Sequence, residues 1–381
     1  MWRKISLLAA GAAALSMTAA GPAAAEIKIG SFLSLSGPAS FLGDPEEKTL
    51  EMYVERINEN GGINGEEVEL IVYDDGGKAV KARTFVTRLI ENDNVDAIIG
   101  GSTTGATMAV APLINNAQIP FISLAGGVPV IEPTKPFVFK TPHTDRMACE
   151  KIFRDMGDRG ISTIGMISGT GGFGSSMREQ CLDVSSKYDI EVAADETYGQ
   201  GDSDMTPQLT SIRGADGVEA ILNPGFGQGP AIVTSNYDQL GIDIPLYQSH
   251  GVASDSFLDL AGQAANGLRL PSPSLLVAGQ IPEDDPQYEV VTGYKEAYET
   301  RHDESVSTFG GYAYDALFLL KDAMERAGTT DGKAVRDALE QTSGFVGTTG
   351  EFNMSEDDHL GLDVAAFRMV EVKNQSWNLI E

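Results

Sequence analysis

Apolar residues alternate at Ile27, Ile29 and Phe32, recur at three- and four-residue spacing at Leu50, Tyr53, Val54 and Ile57, then alternate again at Val68, Leu70 and Val72. The first and last periods are those of strands, and the middle one is that of a helix with one face in a core. Polar residues punctuate them. Ser36-Gly37-Pro38 breaks the first strand, Asp44 offers an N-cap with Pro45 at the first helical position and Glu47 closing a capping box, and Gly61-Gly62 stops the helix. The stretch predicts one β-α-β unit ending at Asp74-Asp75, with a loop of ligand size at its carboxyl edge.

The same rhythm continues. A helix over about 78–92 leads to the buried run Ala97-Ile98-Ile99, then a polar loop Gly100–Gly105, a short helix and a strand over 119–123. From Ile161 a second series begins, with strands at 164–167, 192–195, 220–223 and 245–247 separated by helices from about 173, over 207–213, over about 230–240 and over 257–264. Short apolar strands alternating with helices imply parallel sheets covered on both faces. The pattern therefore predicts an α/β protein of two doubly wound lobes. The first spans 26–145 and is completed by about 280–345, where a helix carrying Tyr312, Leu317, Leu320 and Met324 returns to it. The second spans 146–279 and is completed by about 346–381, with a hairpin turning at Lys373-Asn374-Gln375. Several crossings make a hinge, and ligands of such sheets bind at the carboxyl ends of strands, here in the cleft.

Residues 1–25 carry Arg3 and Lys4, an apolar run from Ile5 to Leu15 and Ala23-Ala24-Ala25, the pattern of a cleavable secretory signal. The expected location is the periplasm. Without the leader, 25 basic residues face 55 acidic ones, a net charge of −30. Nucleic acid is excluded as a partner by such a field, and an anionic ligand must be held locally by backbone N–H groups and hydroxyls. Cys149 and Cys181 allow one disulfide or two buried thiols, and the four histidines are too scattered for a metal site.

Few constellations suggest chemistry. Gly169-Thr170-Gly171-Gly172-Phe173-Gly174, between a strand and a helix with Asp195 further on, has the form of a dinucleotide fingerprint. A tight turn feeding a helix fits an exported acidic chain better. Asp74-Asp75 reads as a solvated turn, and no catalytic Ser-His-Asp or Cys-His grouping has local support. No catalytic residue, cofactor or metal is expected. The loop Gly101-Ser102-Thr103-Thr104-Gly105 is different, because hydroxyls and free N–H groups at a helix N-terminus make a carboxylate site. Ser123-Leu124-Ala125-Gly126-Gly127 ends the next strand at the same edge.

The opening EIKIGSFLSLSGPASFLGDPEEKTLEMYVERINENGGINGEEVELIVYDD, together with VDAIIG, IPFISLAG and VFKTPHTD, resembles the Leu/Ile/Val-binding family of solute receptors for ABC importers. The resemblance covers nearly all of 26–370. It implies the type I periplasmic-binding fold, two lobes joined by three crossovers that close on a ligand, no bond broken, and an inner-membrane permease as partner of a monomer. By that resemblance the family's carboxylate-binding serine falls on Thr104, its backbone-contacting alanine on Ala125, and cleft residues on Phe173 and Phe226. Its first-loop aromatic falls on Leu42 with Phe41 adjacent. Two departures follow. The family's threonine falls on Gly127, which removes a hydroxyl and is expected to open volume, and its ammonium-pairing glutamate falls on His250. A buried ammonium without an anion is costly. The expected ligand is thus a small carboxylate lacking an amine, an aromatic acid of the benzoate or cinnamate type, with an apolar amino acid as the alternative. The expected site is Phe41, Leu42, Ser102, Thr103, Thr104, Ala125, Gly126, Gly127, Phe173, Phe226 and His250.

Overall fold

From Ile29 to Leu33 both faces of β1 (Glu26–Leu33) are buried, as the centre of a parallel sheet requires. The computed structural model describes residues 26–380, so the expected leader lies outside the described residues. Strand β1 is followed by α1 (Ser40–Glu59), β2 (Glu67–Asp74), α2 (Ala79–Arg88), β3 (Ala97–Gly100), α3 (Thr104–Ala117), β4 (Phe121–Ser123) and β5 (Val138–Lys140). The five strands form one parallel sheet in the order β2-β1-β3-β4-β5. In register, Ile29 faces Leu70 on one side and Ala97 on the other, so the sequence alternation becomes a continuous apolar layer.

The second sheet begins after α4 (Asp145–Asp158). It follows β6 (Thr163–Gly169), α5 (Gly172–Ser185), β7 (Glu191–Tyr198), α6 (Thr206–Gly214), β8 (Ala220–Asn223), α7 (Gln228–Gln239), β9 (Leu246–Gln248), α8 (Asp255–Ala261) and β10 (Arg269–Ser272). The chain then returns through α9 (Tyr288–His302), α10 (Thr308–Ala327) and α11 (Gly332–Glu340), and makes the two-residue strands β11 (Phe345–Val346) and β12 (Glu351–Phe352). It ends in β13 (Arg368–Lys373) and β14 (Ser376–Leu379). The order is β14-β13-β10-β9-β8-β6-β7, with β13 antiparallel to both neighbours. Asn374 and Gln375 at the hairpin tip both take left-handed backbone, at φ 52° and 57°, which matches the twist of a two-residue turn.

Helix α10 packs on α1 of the first lobe: Tyr53 meets Tyr314 at 4.7 Å and Phe318 at 5.5 Å between ring centroids, both edge-on. The chain thus crosses between lobes three times, after β5, after β10 and before β13. This is the type I two-lobed arrangement. Cys149 and Cys181 are joined in a disulfide that ties α4 to α5. No helix among the described residues is long and apolar enough to cross a membrane.

One expected element is corrected. Helix α1 starts at Ser40, a turn before Asp44, and contains Pro45. Asp44 is no cap; its carboxylate lies 2.8 Å from Lys48. The cause is packing. Leu42 is buried, and a Cβ on Gly43 would come within 2.4 Å of the Ser34 carbonyl, so residues 40–43 are held in helical register ahead of the proline. Tertiary contacts override the capping signal.

Candidate functional site

The carboxyl ends of β3 and β4 bring two loops together. Gly100 and Gly101 leave β3 with φ of 154° and 72°, and a Cβ on Gly101 would lie 2.2 Å from the Thr107 hydroxyl. Only glycine makes that turn. The three hydroxyls that follow have separate tasks. Ser102 Oγ accepts from the Ser34 N–H at 3.0 Å and donates to Glu46 at 2.5 Å. Thr103 caps α3, its Oγ1 accepting from the Ala106 N–H. Thr104 Oγ1 accepts the Gly127 N–H at 3.2 Å, and no described residue accepts its own O–H.

The second lobe supplies the facing wall. Phe173 stands at the start of α5, edge-on to Phe226 at 6.1 Å and to His250 at 5.3 Å. Between the walls is a pocket lined by Leu42, Ser102, Thr103, Thr104, Leu124, Gly126, Pro142, Phe173, Phe226, His250, Gly251, Phe309 and Tyr312. Eight of the eleven expected residues are on it. Phe41 is not; it packs on Phe226 and Phe309 in an adjoining recess. Ala125 is buried behind the wall with its N–H on Ser123, and Gly127 is covered by Thr104. Leu124, Pro142, Gly251, Phe309 and Tyr312 were not singled out for the site. Tyr312 was legible only as a core residue of its helix, although Phe309-Gly310-Gly311-Tyr312 places two aromatics on either side of small residues.

Gly127 does not open volume. A Cβ there would lie 2.6 Å from Thr104 Cγ2 and 2.9 Å from Thr104 Oγ1, so the threonine at 104 already fills that space. Thr104, where the resemblance implies a serine, and Gly127, where it implies a threonine, are thus matched in volume to each other.

The electrostatics differ from the surface charge. None of the lining residues is acidic. His250 is buried, and burial together with the nearby Lys140 pushes its ring down to about 3, so the imidazole is neutral. Behind Ser102 lies Glu46, wholly buried, with Oε1 lacking any partner. Burial drives its carboxyl well above the ordinary range, the Ser102 hydrogen bond offsets only part of this, and Asp75 adds to it. Behind Gly126 lies Lys140, also without exposed surface, its ammonium 2.7 Å from the Gly126 carbonyl. An ammonium thus stands one peptide behind the pocket wall, although no cation lines the pocket itself. The lysine belongs to the quoted VFKTPHTD stretch, but nothing in its spacing signals that β5 ends behind the pocket.

The other constellations are structural. Asp195 takes the Arg178 guanidinium, with Nε at 2.8 Å, so it is already occupied where a ribose-binding acid would have to be free. Asp74 accepts from the Ser36 hydroxyl and from the N–H groups of Leu35, Ser36 and Gly76; burial opposes its ionisation, yet these bonds hold its carboxyl below the usual value. Asp75, buried, accepts from Ser34 and Gly77. The pair organises the loop and is not the solvated turn expected.

Two α/β lobes, one with a parallel and one with a mixed sheet, three crossovers and a largely apolar pocket at the strand ends are the build of a ligand-capturing receptor. The chain belongs to the periplasmic binding protein family, whose model matches residues 26–376. It is similar, at 23% identity over 94% of this chain and 93% of the relative, to a leucine-, isoleucine-, valine-, threonine- and alanine-binding protein of Pseudomonas aeruginosa. An extracellular ligand-binding receptor from Rhodopseudomonas palustris HaA2 superposes with a TM-score of 0.87 at 26% identity, covering 94% of this chain and all of that one. A solute-binding protein of an ABC transporter from Rhodopseudomonas palustris BisB5, solved with 3,4-dihydroxybenzoic acid, shares the fold with a TM-score of 0.80 at 19% identity, covering 93% and 96%.

Proposed function

We propose that the protein is an exported receptor that captures an aromatic carboxylate by lobe closure and delivers it to an ABC permease as a monomer. The observation that carries this reading is the character of the wall: four aromatic side chains, a neutral imidazole and no acidic group surround a hydroxyl whose proton is free. Thr104 would donate to the carboxylate, with the Leu124–Gly127 loop beside it and the N-terminus of α3 adding positive potential. Phe173, Phe226 and Phe309 would hold the ring, since aromatic faces and edges pack favourably. A neutral His250 would donate to or accept from a ring substituent. An α-ammonium on the same ligand would be desolvated against a wall with no anion, at a cost of several kcal/mol. The similarity in fold to a protein solved with 3,4-dihydroxybenzoic acid is consistent with this choice.

A second reading, an apolar amino acid, is favoured by one feature. Glu46 holds an unpartnered carboxyl oxygen one hydroxyl away from the pocket, and the Pseudomonas aeruginosa relative is named for such ligands. A thermal-shift screen of 3,4-dihydroxybenzoate, 4-hydroxybenzoate and coumarate against leucine separates the two, because a ligand that binds only the folded state raises the melting temperature. Stabilisation by leucine alone sinks the aromatic reading; Glu46→Gln should then abolish that stabilisation.

A further inference from the structure

Strand β5 ends behind the Leu124–Gly127 loop, and its last residue places an ammonium in the interior. Lys140 has no exposed surface and donates to two carbonyls, Gly126 at 2.7 Å and His143 at 3.4 Å. Among the described residues no carboxylate is bonded to it. Asp145 and Glu132 act on it through space, but both are engaged elsewhere. Asp145 takes the Val128 N–H at 2.9 Å and the Ser176 hydroxyl, and Glu132 takes Arg146 at 2.8 Å. The remaining groups facing it are His143, stacked on Phe367 at 3.7 Å, and His250, tilted to the same ring at 5.3 Å, with Lys151 acting on His143 from α4. Burial holds both rings neutral. An unpaired buried cation is among the most costly arrangements in a protein interior, so one retained beside a cleft is a candidate for function.

One peptide joins this ammonium to the pocket. Lys140 bonds the carbonyl of Gly126, and the N–H of that same peptide, on Gly127, donates to Thr104 Oγ1 at 3.2 Å. A cation at the carbonyl end strengthens the N–H at the other end. It thereby engages the lone pair of Thr104 and leaves the hydroxyl proton to point at the ligand. Thr104 and Gly126 both line the pocket.

We propose that Lys140 is the buried cation against which the ligand carboxylate is bound, acting through the Gly126–Gly127 peptide and the Thr104 hydroxyl. This rests on the carboxylate reading of the site. Lys140 touches no ligand atom and is a positioning residue. In the empty protein burial holds its ammonium down to about 7. An arriving carboxylate favours the charged form, so above that pH binding takes up a proton. Affinity is then highest below neutrality and falls as pH rises through it, the sign expected when the bound state holds more protons than the free one.

The test is titration calorimetry with 3,4-dihydroxybenzoate and with leucine at about pH 6 and about pH 8, in two buffers of different ionisation enthalpy. The expected result for the probe that binds is an affinity roughly tenfold weaker at the higher pH, with proton uptake. Lys140→Met should bind about tenfold more weakly at the lower pH and show a flat profile. Its ligand-free melting temperature should be no lower than that of the parent, because the unpaired cation is gone. Lys140→Arg, which does not deprotonate, should keep a flat profile at high affinity. A flat profile in the parent, or an unchanged one in Lys140→Met, overturns this inference and leaves the carboxylate reading intact. Failure of both probes to bind at either pH overturns both.

Discussion

Two loops of nearly the same build face each other across the cleft. Gly100–Gly105 follows β3 and opens α3; Gly169–Gly174 follows β6 and opens α5. The first carries three hydroxyls, each fixed by a partner: Ser102 by Glu46, Thr103 by the α3 backbone, Thr104 by Gly127. The second offers a single ring, Phe173, among glycines, and the lobes meet there, a Cβ on Gly172 falling 3.1 Å from the Gly105 nitrogen. One local architecture thus presents hydroxyls on one lobe and, on the other, one aromatic face with room for close approach. The difference lies in where side chains are anchored and where they are missing.

The largest effect should come from what supports the second loop. The disulfide joins residues 32 apart in sequence and staples α5, the helix that Gly172 opens, to α4. Replacing Cys149 and Cys181 by alanine should cost about 3 to 4 kcal/mol on the chain-entropy account, read by denaturant unfolding. Affinity should change less than about threefold, because the pocket wall is untouched. A large affinity loss would mean the staple shapes the site and not only the fold.

Next is the contact between the loops. Gly172→Val should weaken ligand binding by about a hundredfold, about 3 kcal/mol, with unchanged melting temperature, because the added carbons obstruct closure and not folding. Small-angle scattering should show no ligand-induced compaction. Unaltered affinity would break the comparison.

Smaller is the hydroxyl of the first loop. Thr104→Val should weaken binding about tenfold while keeping the volume, the usual size of a lost hydrogen bond to a charged group. Smallest is the exchange between neighbours. Gly127→Thr alone forces its Cβ into Thr104 Cγ2, but Thr104→Ser with Gly127→Thr should recover most of the loss. Calorimetry on the four proteins of that cycle should give a coupling of about 1 kcal/mol or more; additive effects would deny the compensation.

Most of the strands follow from periodicity, because Ile27, Ile29 and Phe32 have no other way to be buried on both faces of a sheet; their order within the sheets does not. The polar loop at 101–105 was legible as a cleft edge because it joins a buried strand to a helix N-terminus, whereas the structural duties of Ser102 and Thr103 within it were not. What was not legible depends on contacts distant in sequence. The start of α1 is fixed by Ser34 against Gly43, the space at Gly127 by Thr104, and the buried Lys140 by a loop that ends at residue 127. Phe309 and Tyr312 looked like ordinary core, because the same spacing serves a helix whether its neighbour is protein or ligand. A residue compared singly with a family pattern misleads when its partner has changed with it.

The triple crossing also governs the order in which the molecule can be finished. A chain released at Gln287 would lack α10 over Tyr53 and β13 against β10, so neither lobe would have its full cover. The first lobe gains its cover once α10 and α11 have emerged, and the second only once residues beyond 368 have, through contacts of long sequence separation that form slowly. A nascent chain of this topology remains threadable until its last strands are made.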